Sequence, residues 1–138
     1  MVDPKTKVQM LEKIEGGEFS VADLPEFLAL FCEICNESVD AQDEVRGWNR
    51  TLLLNIKEGG DIWFNVKEGR FTISRDPLPG PVTVLRAKGE VAAGILTGEK
   101  DDTAAYLSHA LEVEGELPDA VKLRSLIEIV REELEMAT

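Results

Sequence analysis

The fold is decided by residues 51–74, which read TLLLNIKEGGDIWFNVKEGRFTIS. Three short segments of this stretch alternate apolar with polar residues, and glycine-bearing turns at 58–60 and 68–69 separate them. Alternation directs all the apolar side chains of a strand to one face, and short glycine turns are typical of hairpins. The stretch therefore predicts three antiparallel strands with one apolar face, which helices must cover.

The rest of the chain supplies further strands and the helices. Asp3 and Pro4 indicate the start of a first helix, and a short helix capped by Asp40 follows a strongly apolar one over residues 24–36. Because that apolar helix has few polar positions, we expect it to pack against more than one partner. The other predicted elements are strands at 82–87 and 110–114, helices at 88–96 and 101–108, and a final helix from Pro118.

Composition excludes several classes of function. The chain has 138 residues and a net charge of −12, which suits one domain and disfavours binding to nucleic acid or to anionic membranes. No segment contains the roughly 18 consecutive apolar residues of a membrane span, so we expect no stable membrane insertion. The N-terminus does not resemble a signal peptide, and the expected location is cytoplasmic.

Two motifs could carry chemistry. Cys32 and Cys35 have the spacing of a redox dithiol, but they lie late in an apolar helix, where the helix dipole raises rather than lowers a thiol pKa. His109 is the only histidine, and neither a nucleophile elbow nor a metal-ligand set surrounds it. We interpret the cysteines as buried core residues and His109 as structural. The sequence predicts no enzyme, no metal site and no cofactor.

Several motifs, taken in order, resemble those of the sterol carrier protein type-2 (sterol-transfer domain) family. They are Trp63-Phe64-Asn65-Val66-Lys67-Glu68-Gly69-Arg70-Phe71, Pro81-Val82-Thr83-Val84, Ile95-Leu96-Thr97-Gly98-Glu99-Lys100-Asp101 and Leu111-Glu112-Val113-Glu114-Gly115-Glu116. The resemblance implies an α/β (α+β) fold, in which helices cover one face of a five-stranded, mostly antiparallel sheet. We expect a single domain over 1–138, with an N-terminal helical segment at 1–46 and the sterol-carrier-like part at 47–134.

The resemblance also implies a function. It is non-enzymatic binding or transfer of a fatty acid, acyl-CoA, sterol or other lipid in a tunnel between sheet and helices. Periodicity alone favours a filled core instead. The candidate ligand-binding residues are Leu54, Ile56, Phe64, Val66, Phe71, Ile73, Val84, Leu96, Tyr106, Leu123 and Ile127. Tyr106, Trp48 or Arg70 could meet a head group at the tunnel mouth.

Two alternative functions stay open at this point. The same fold with a filled core could serve as a structural module that forms a homodimer through helix 24–36, joined by Trp63 and Leu53 on the open face of the sheet. A dithiol redox protein that uses Cys32 and Cys35 is the third hypothesis.

Overall fold

Five strands form one sheet in the computed structural model, which describes residues 1–138. The strands are β1 Arg50–Lys57, β2 Gly60–Lys67, β3 Arg70–Ser74, β4 Val82–Lys88 and β5 Leu111–Glu114. The helices are α1 Pro4–Glu15, α2 Leu24–Glu37, α3 Val39–Glu44, α4 Gly89–Leu96, α5 Asp102–Leu107 and α6 Leu117–Met136. A short 3-10 helix at Val21–Asp23 precedes α2.

The strand order across the sheet is β3-β2-β1-β4-β5. Hairpins make β1, β2 and β3 antiparallel, β5 is antiparallel to β4, and the central pair of β1 and β4 is parallel. In the β2–β3 turn, Glu68 and Gly69 both have positive φ (50° and 80°), which is typical of a tight two-residue hairpin turn. The predicted fold class, a mostly antiparallel five-stranded sheet with helices on one face, is confirmed.

The two faces of the sheet differ as the alternation predicts. Leu52, Leu54 and Ile56 of β1 are buried beneath the helices, whereas Leu53 between them is only half-buried on the other face. Val84 is the register partner of Leu53 on β4 and therefore lies on that outer face. This differs from the sequence prediction, which counted Val84 among the residues of the covered face.

Helix α2 covers the half of the sheet formed by β2 and β3. Eight of its apolar residues are buried, namely Leu24, Phe27, Leu28, Leu30, Phe31, Cys32, Ile34 and Cys35, whereas Ala29 is exposed. The ring of Phe31 meets Phe64 of β2 edge to face at 5.8 Å, and Phe64 meets Phe71 of β3 at 6.0 Å. The side chain of Asn36 binds the backbone of Phe71 through both of its polar atoms. Most of the apolar surface of α2 is therefore used within the chain, and the homodimer contact through this helix stays a prediction.

The N-terminus of α6 is fixed to the sheet by a buried carboxylate. Asp119 lies in the first turn of α6, is only 4% exposed, and accepts hydrogen bonds from the side chains of three residues. These are Trp48 Nε1 at 3.1 Å, Arg50 Nε at 2.8 Å and Thr83 Oγ1 at 2.7 Å. A charged acceptor that binds several donors is a strong tie in a buried setting. It holds α6 across β1 and β4.

The cap of α3 differs from the sequence prediction. It is Ser38, whose hydroxyl accepts a hydrogen bond from the Ala41 backbone N–H, rather than Asp40. The chain therefore turns into α3 earlier than the apolar pattern indicated. A capping box of Ser20 and Asp23 surrounds the 3-10 helix before α2.

Candidate functional site

An apolar cavity lies between the sheet and the helices on the β1–β4–β5 side of the molecule. The apolar side chains of its wall are Leu54, Ile56, Leu85, Ala87, Ala92, Ile95, Leu96, Leu111, Ala120, Leu123 and Ile127. They come from β1, β4, β5, α4 and α6, so the wall joins the sheet to the helices that cover it. The cavity volume is about 50 Å³.

Small side chains leave this space unfilled. Ala87 on β4, Ala92 on α4 and Ala120 on α6 all line the cavity, and none of them reaches far from its backbone. The β2–β3 half of the covered face has aromatic rings at the corresponding depth. There Phe19, Phe27, Phe31, Phe64 and Phe71 form a chain of edge-to-face contacts with ring centroids 5.6 to 6.2 Å apart. The cavity therefore occurs where the helices that cover the sheet contribute small aliphatic side chains.

The polar groups of the cavity wall are confined to Asn55, Asp102 and Arg124. Arg124 on α6 is half-exposed, and its Nε lies 3.5 Å from carboxylate oxygens of both Asp102 and Glu128. Its Nη1 is also 3.5 Å from Thr103 Oγ1. These contacts connect α5 to α6. No residue of α5 is fully buried, and its Ala105 packs against the core.

A comparison with protein families shows which family the chain belongs to. The profile of the SCP-2 sterol transfer family matches residues 28–128, which is well over half of the sequence. The chain belongs to the SCP-2 sterol transfer family. The match begins inside α2, so the family unit includes part of the helical segment that the sequence set apart as residues 1–46. No curated protein sequence matches the chain.

Solved structures of the SCP-2 type share the fold. A ubiquinone synthesis protein, UbiJ-SCP2, has a TM-score of 0.62 and 17% identity over 74% of this chain and 90% of its own. Sterol carrier protein 2 has a TM-score of 0.57 and 18% identity over 74% and 91%. Palmitated SCP2L2 from Aedes aegypti has a TM-score of 0.56 and 19% identity over 79% and 95%. At these identities the likeness concerns the fold alone.

The structure brings together five of the ligand-binding residues predicted from the sequence. Leu54, Ile56, Leu96, Leu123 and Ile127 line the cavity of this SCP-2 domain. They share one property: each lies on the inner side of β1, α4 or α6, where the aliphatic half of the covered face is built.

The other predicted residues lie elsewhere. Phe64, Val66 and Phe71 are fully enclosed in the aromatic half, and Ile73 is half-buried next to them on β3. Tyr106 is 42% exposed on α5 and does not line the cavity. Together with Val84 on the outer face, these residues are separate from the cavity.

Sequence reasoning missed several lining residues. Leu85 and Ala87 could have been found from β4, because they alternate with Val84 and Arg86 and must face opposite to them. Ala92 and Ala120 carry no sequence signal of a cavity, since alanine is equally common in filled cores. Their role depends on which side chains stand opposite them, and only the three-dimensional packing shows that.

The remaining candidate residues lie outside the cavity. Burial raises the pKa of Cys32 to about 12 and raises the pKa of Cys35 as well. Both are free, buried thiols, which are inert rather than redox-active. His109 is exposed in the turn between α5 and β5, with a left-handed backbone (φ 66°). The indole N–H of Trp48 donates a hydrogen bond to the carboxylate of Asp119.

Two further features of the chain bear on function. No three histidine, cysteine or acidic side chains are grouped so that they could hold a metal ion. None of the helices has the length and apolar character needed to cross a bilayer.

Proposed function

We propose that this protein binds and carries a hydrophobic small molecule in the cavity between β1, β4 and the helices α4, α5 and α6. The observation that carries the proposal is an almost wholly apolar cavity beneath the helices of an SCP-2 family fold. Fatty acids, acyl-CoA, sterols and other lipids are the ligand classes in question. The palmitated state of the SCP2L2 relative supports a ligand with an acyl chain.

The size of the cavity requires a change of shape on binding. Pockets for drug-sized ligands have volumes of roughly 300 to 1,000 Å³, whereas this one has about 50 Å³. Helix α5 is the cover element that can move at the lowest cost, because none of its residues is buried. We therefore infer that α5 moves away from α6 when the ligand enters.

The free energy of apolar burial is sufficient for useful affinity. Each methylene group transferred from water contributes about 0.8 kcal/mol, so ten of them contribute on the order of 8 kcal/mol before the cost of ordering. An apolar pocket can bind with few polar groups, which fits a wall whose polar residues are Asn55, Asp102 and Arg124. The proposed role is accordingly binding without catalysis.

A cavity-filling variant tests the proposal. Wild-type protein is titrated with an uncharged fluorescent probe, N-phenylnaphthylamine, which dodecanol then displaces. Ala92→Leu places a larger side chain in the cavity and should weaken the binding of both compounds by about tenfold or more, because the apolar space is occupied. Ala104→Leu adds the same group to an exposed position of α5 and should change affinity less than about twofold.

Absence of probe and dodecanol binding to the wild type would overturn the proposal. So would equal binding by wild type and a folded Ala92→Leu variant, since the ligand would then lie outside this cavity. Circular dichroism of both variants shows whether each is folded.

The small volume of the cavity favours one second candidate function, a structural module with a nearly filled core. In that case the half-buried row of Trp63, Leu53 and Val84 on the outer face would be the contact surface. Light scattering separates the two functions, because a monomer that binds dodecanol fits only the carrier.

A further inference from the structure

Four large apolar side chains form an exposed patch where α5 lies beside the N-terminal half of α6. They are Tyr106 and Leu107 on α5 and Leu117 and Val121 on α6, and between 42% and 72% of each residue is exposed. The other large apolar residues that are exposed are Met1, Val39 and Met136. Isolated exposed apolar residues are ordinary, whereas a cluster of them marks a contact surface.

Contacts along the chain show how α5 is oriented on α6. Arg131 of α6 donates a hydrogen bond to the backbone carbonyl of Thr97, which precedes α5. Arg124, two turns closer to the N-terminus of α6, contacts Asp102 and Thr103 at the start of α5. The chain therefore passes Arg131 before it reaches Arg124, so α5 runs antiparallel to α6. Its C-terminal turn lies beside the first two turns of α6.

The helical spacing places the patch along the seam between the two helices. Its two residues on α5 follow Thr103 by three and four positions, and its two residues on α6 precede Arg124 by seven and three. Residues at these spacings share one face of a helix. Since Thr103 and Arg124 are in contact, the four side chains lie next to each other. We call this surface the α5–α6 patch.

The surroundings of the α5–α6 patch are acidic. Residues 101–128 include seven acidic and two basic residues. Both basic side chains already have oxygen partners within the chain, because Arg124 contacts two carboxylates and Lys122 donates a hydrogen bond to the backbone carbonyl of Glu44. Three exposed carboxylates of this segment take part in no ion pair, namely Asp101, Glu112 and Glu116.

This charge distinguishes between the possible occupants of the patch. A second copy of the chain would bring the same unpaired carboxylates to the contact, and like charges across an interface are unfavourable. The surface of an anionic membrane is negative as well and attracts basic rather than acidic segments. A protein segment with aliphatic side chains flanked by lysine or arginine matches both the apolar patch and its acidic border.

We propose that the α5–α6 patch docks an amphipathic helix of another protein, whose aliphatic face is bordered by lysine or arginine. Leu107 and Val121 contact the aliphatic side chains, and Glu112 and Glu116 attract the cations. An amphipathic helix that lays its apolar face on an apolar surface is a recurrent mode of recognition. The inference is independent of the proposed function, because the patch is on the outside of the two helices and requires no ligand in the cavity.

The test uses two synthetic helical peptides that carry leucine on one face and either lysine or glutamate on the other. Fluorescence anisotropy of the labelled peptides with the full-length protein at low salt should show saturable binding of the lysine peptide and none of the glutamate peptide. Leu107→Ser/Val121→Ser should weaken binding of the lysine peptide by about fivefold or more, because the apolar contact is lost. Glu112→Gln/Glu116→Gln should weaken it by about threefold, and added salt should reduce this difference.

A matched control separates the patch from general apolar stickiness. Val39→Ser/Met136→Ser also replaces two exposed apolar residues, and Met136 lies roughly 22 Å from Val121 along α6. It should alter the affinity for the lysine peptide less than about twofold. Circular dichroism of the three variants shows whether each is folded.

Several outcomes would overturn the inference. One is equal affinity of wild type and Leu107→Ser/Val121→Ser for the lysine peptide, and another is an equal loss in the control variant. Co-sedimentation of wild type, but not of Leu107→Ser/Val121→Ser, with phosphatidylcholine vesicles would assign the patch to a membrane instead. A wild-type dimer in light scattering that Leu107→Ser/Val121→Ser abolishes would assign it to a second copy. None of these results changes the proposed function, which dodecanol binding tests separately.

Discussion

The covered face of the sheet has two halves, and the helices pack on them with different kinds of side chain. Over β2 and β3, helix α2 contributes large rings, and the core is filled by edge-to-face aromatic contacts. Over β1, β4 and β5, helices α4 and α6 contribute alanine and branched aliphatic side chains, and a cavity remains. The difference separates a closely packed half from a half with apolar space, and we propose that the ligand binds in the second.

Truncating a ring of the aromatic half should have the largest effect. Phe31 is fully buried between Phe27 and Phe64, so Phe31→Ala leaves a large void and should lower the free energy of unfolding by about 3 to 5 kcal/mol. Urea denaturation measures this loss. Dodecanol affinity, measured where the variant is folded, should be unchanged.

A loss below about 1 kcal/mol would contradict the description of the aromatic half as closely packed. A large fall in dodecanol affinity of the folded variant would show instead that the two halves do not act separately.

The buried thiols of α2 should make the free energy of unfolding fall at alkaline pH, by somewhat less than the loss expected for Phe31→Ala. Burial raises the pKa of Cys32 from its ordinary value of 9.0 to about 12, and that of Cys35 is also raised. The folded state therefore keeps both protons above pH 9, where the unfolded state loses them. Stability is present below pH 9 and falls as the pH rises toward 12, by about 1.4 kcal/mol per thiol for each pH unit.

The measurement is urea denaturation at several pH values between 8 and about 10. Cys32→Ala/Cys35→Ala is the matched control, because it lacks both thiols and should show a smaller decline over this window. If wild type and control decline in parallel, the thiols are not held in a dry core.

Much of the aromatic half, but little of the cavity, follows from the sequence. Strict alternation in residues 51–74 predicts which side chains of β1, β2 and β3 face the helices, because the period of a strand leaves only two choices. The apolar character of helix 24–36 predicts burial. It does not predict the partner, which in the structure is the sheet at β2 and β3.

The cavity exists because some side chains do not fill the space between sheet and helices, and no local sequence pattern predicts such unfilled space. Leu54 and Ile127 could be predicted as inward-facing residues from their periodicity. That Ala92 and Ala120 leave space opposite them depends on the positions of α4 and α6, which Asp119 and the sheet register fix through distant contacts. Val84 was misplaced because a short strand of mostly apolar residues does not show which of its faces is covered.

The contact between α5 and α6 should have the smallest effect on stability and a visible effect on ligand exchange. Asp102→Asn removes the ion pair with Arg124, and partly exposed pairs contribute little, so the free energy of unfolding should fall by less than about 0.5 kcal/mol. If α5 moves during exchange, dodecanol should dissociate about twofold faster in stopped-flow displacement.

Glu128→Gln is the control for this prediction. It removes the other carboxylate at Arg124 but leaves α5 attached, because Glu128 is on α6 itself. Its dissociation rate should equal that of wild type. Equal rates in all three proteins would show that the ligand does not pass under α5.

The central claim is that the ligand occupies the aliphatic half and leaves the aromatic half closed. Methyl NMR of isoleucine, leucine and valine side chains during titration with dodecanol tests it most directly. We expect large shifts for Leu54, Ile95, Leu123 and Ile127 around the cavity, and small shifts for Ile34 and Val66 in the half of the core that α2 covers. Shifts concentrated on Ile34 and Val66, or no shifts at saturating dodecanol, would contradict the account.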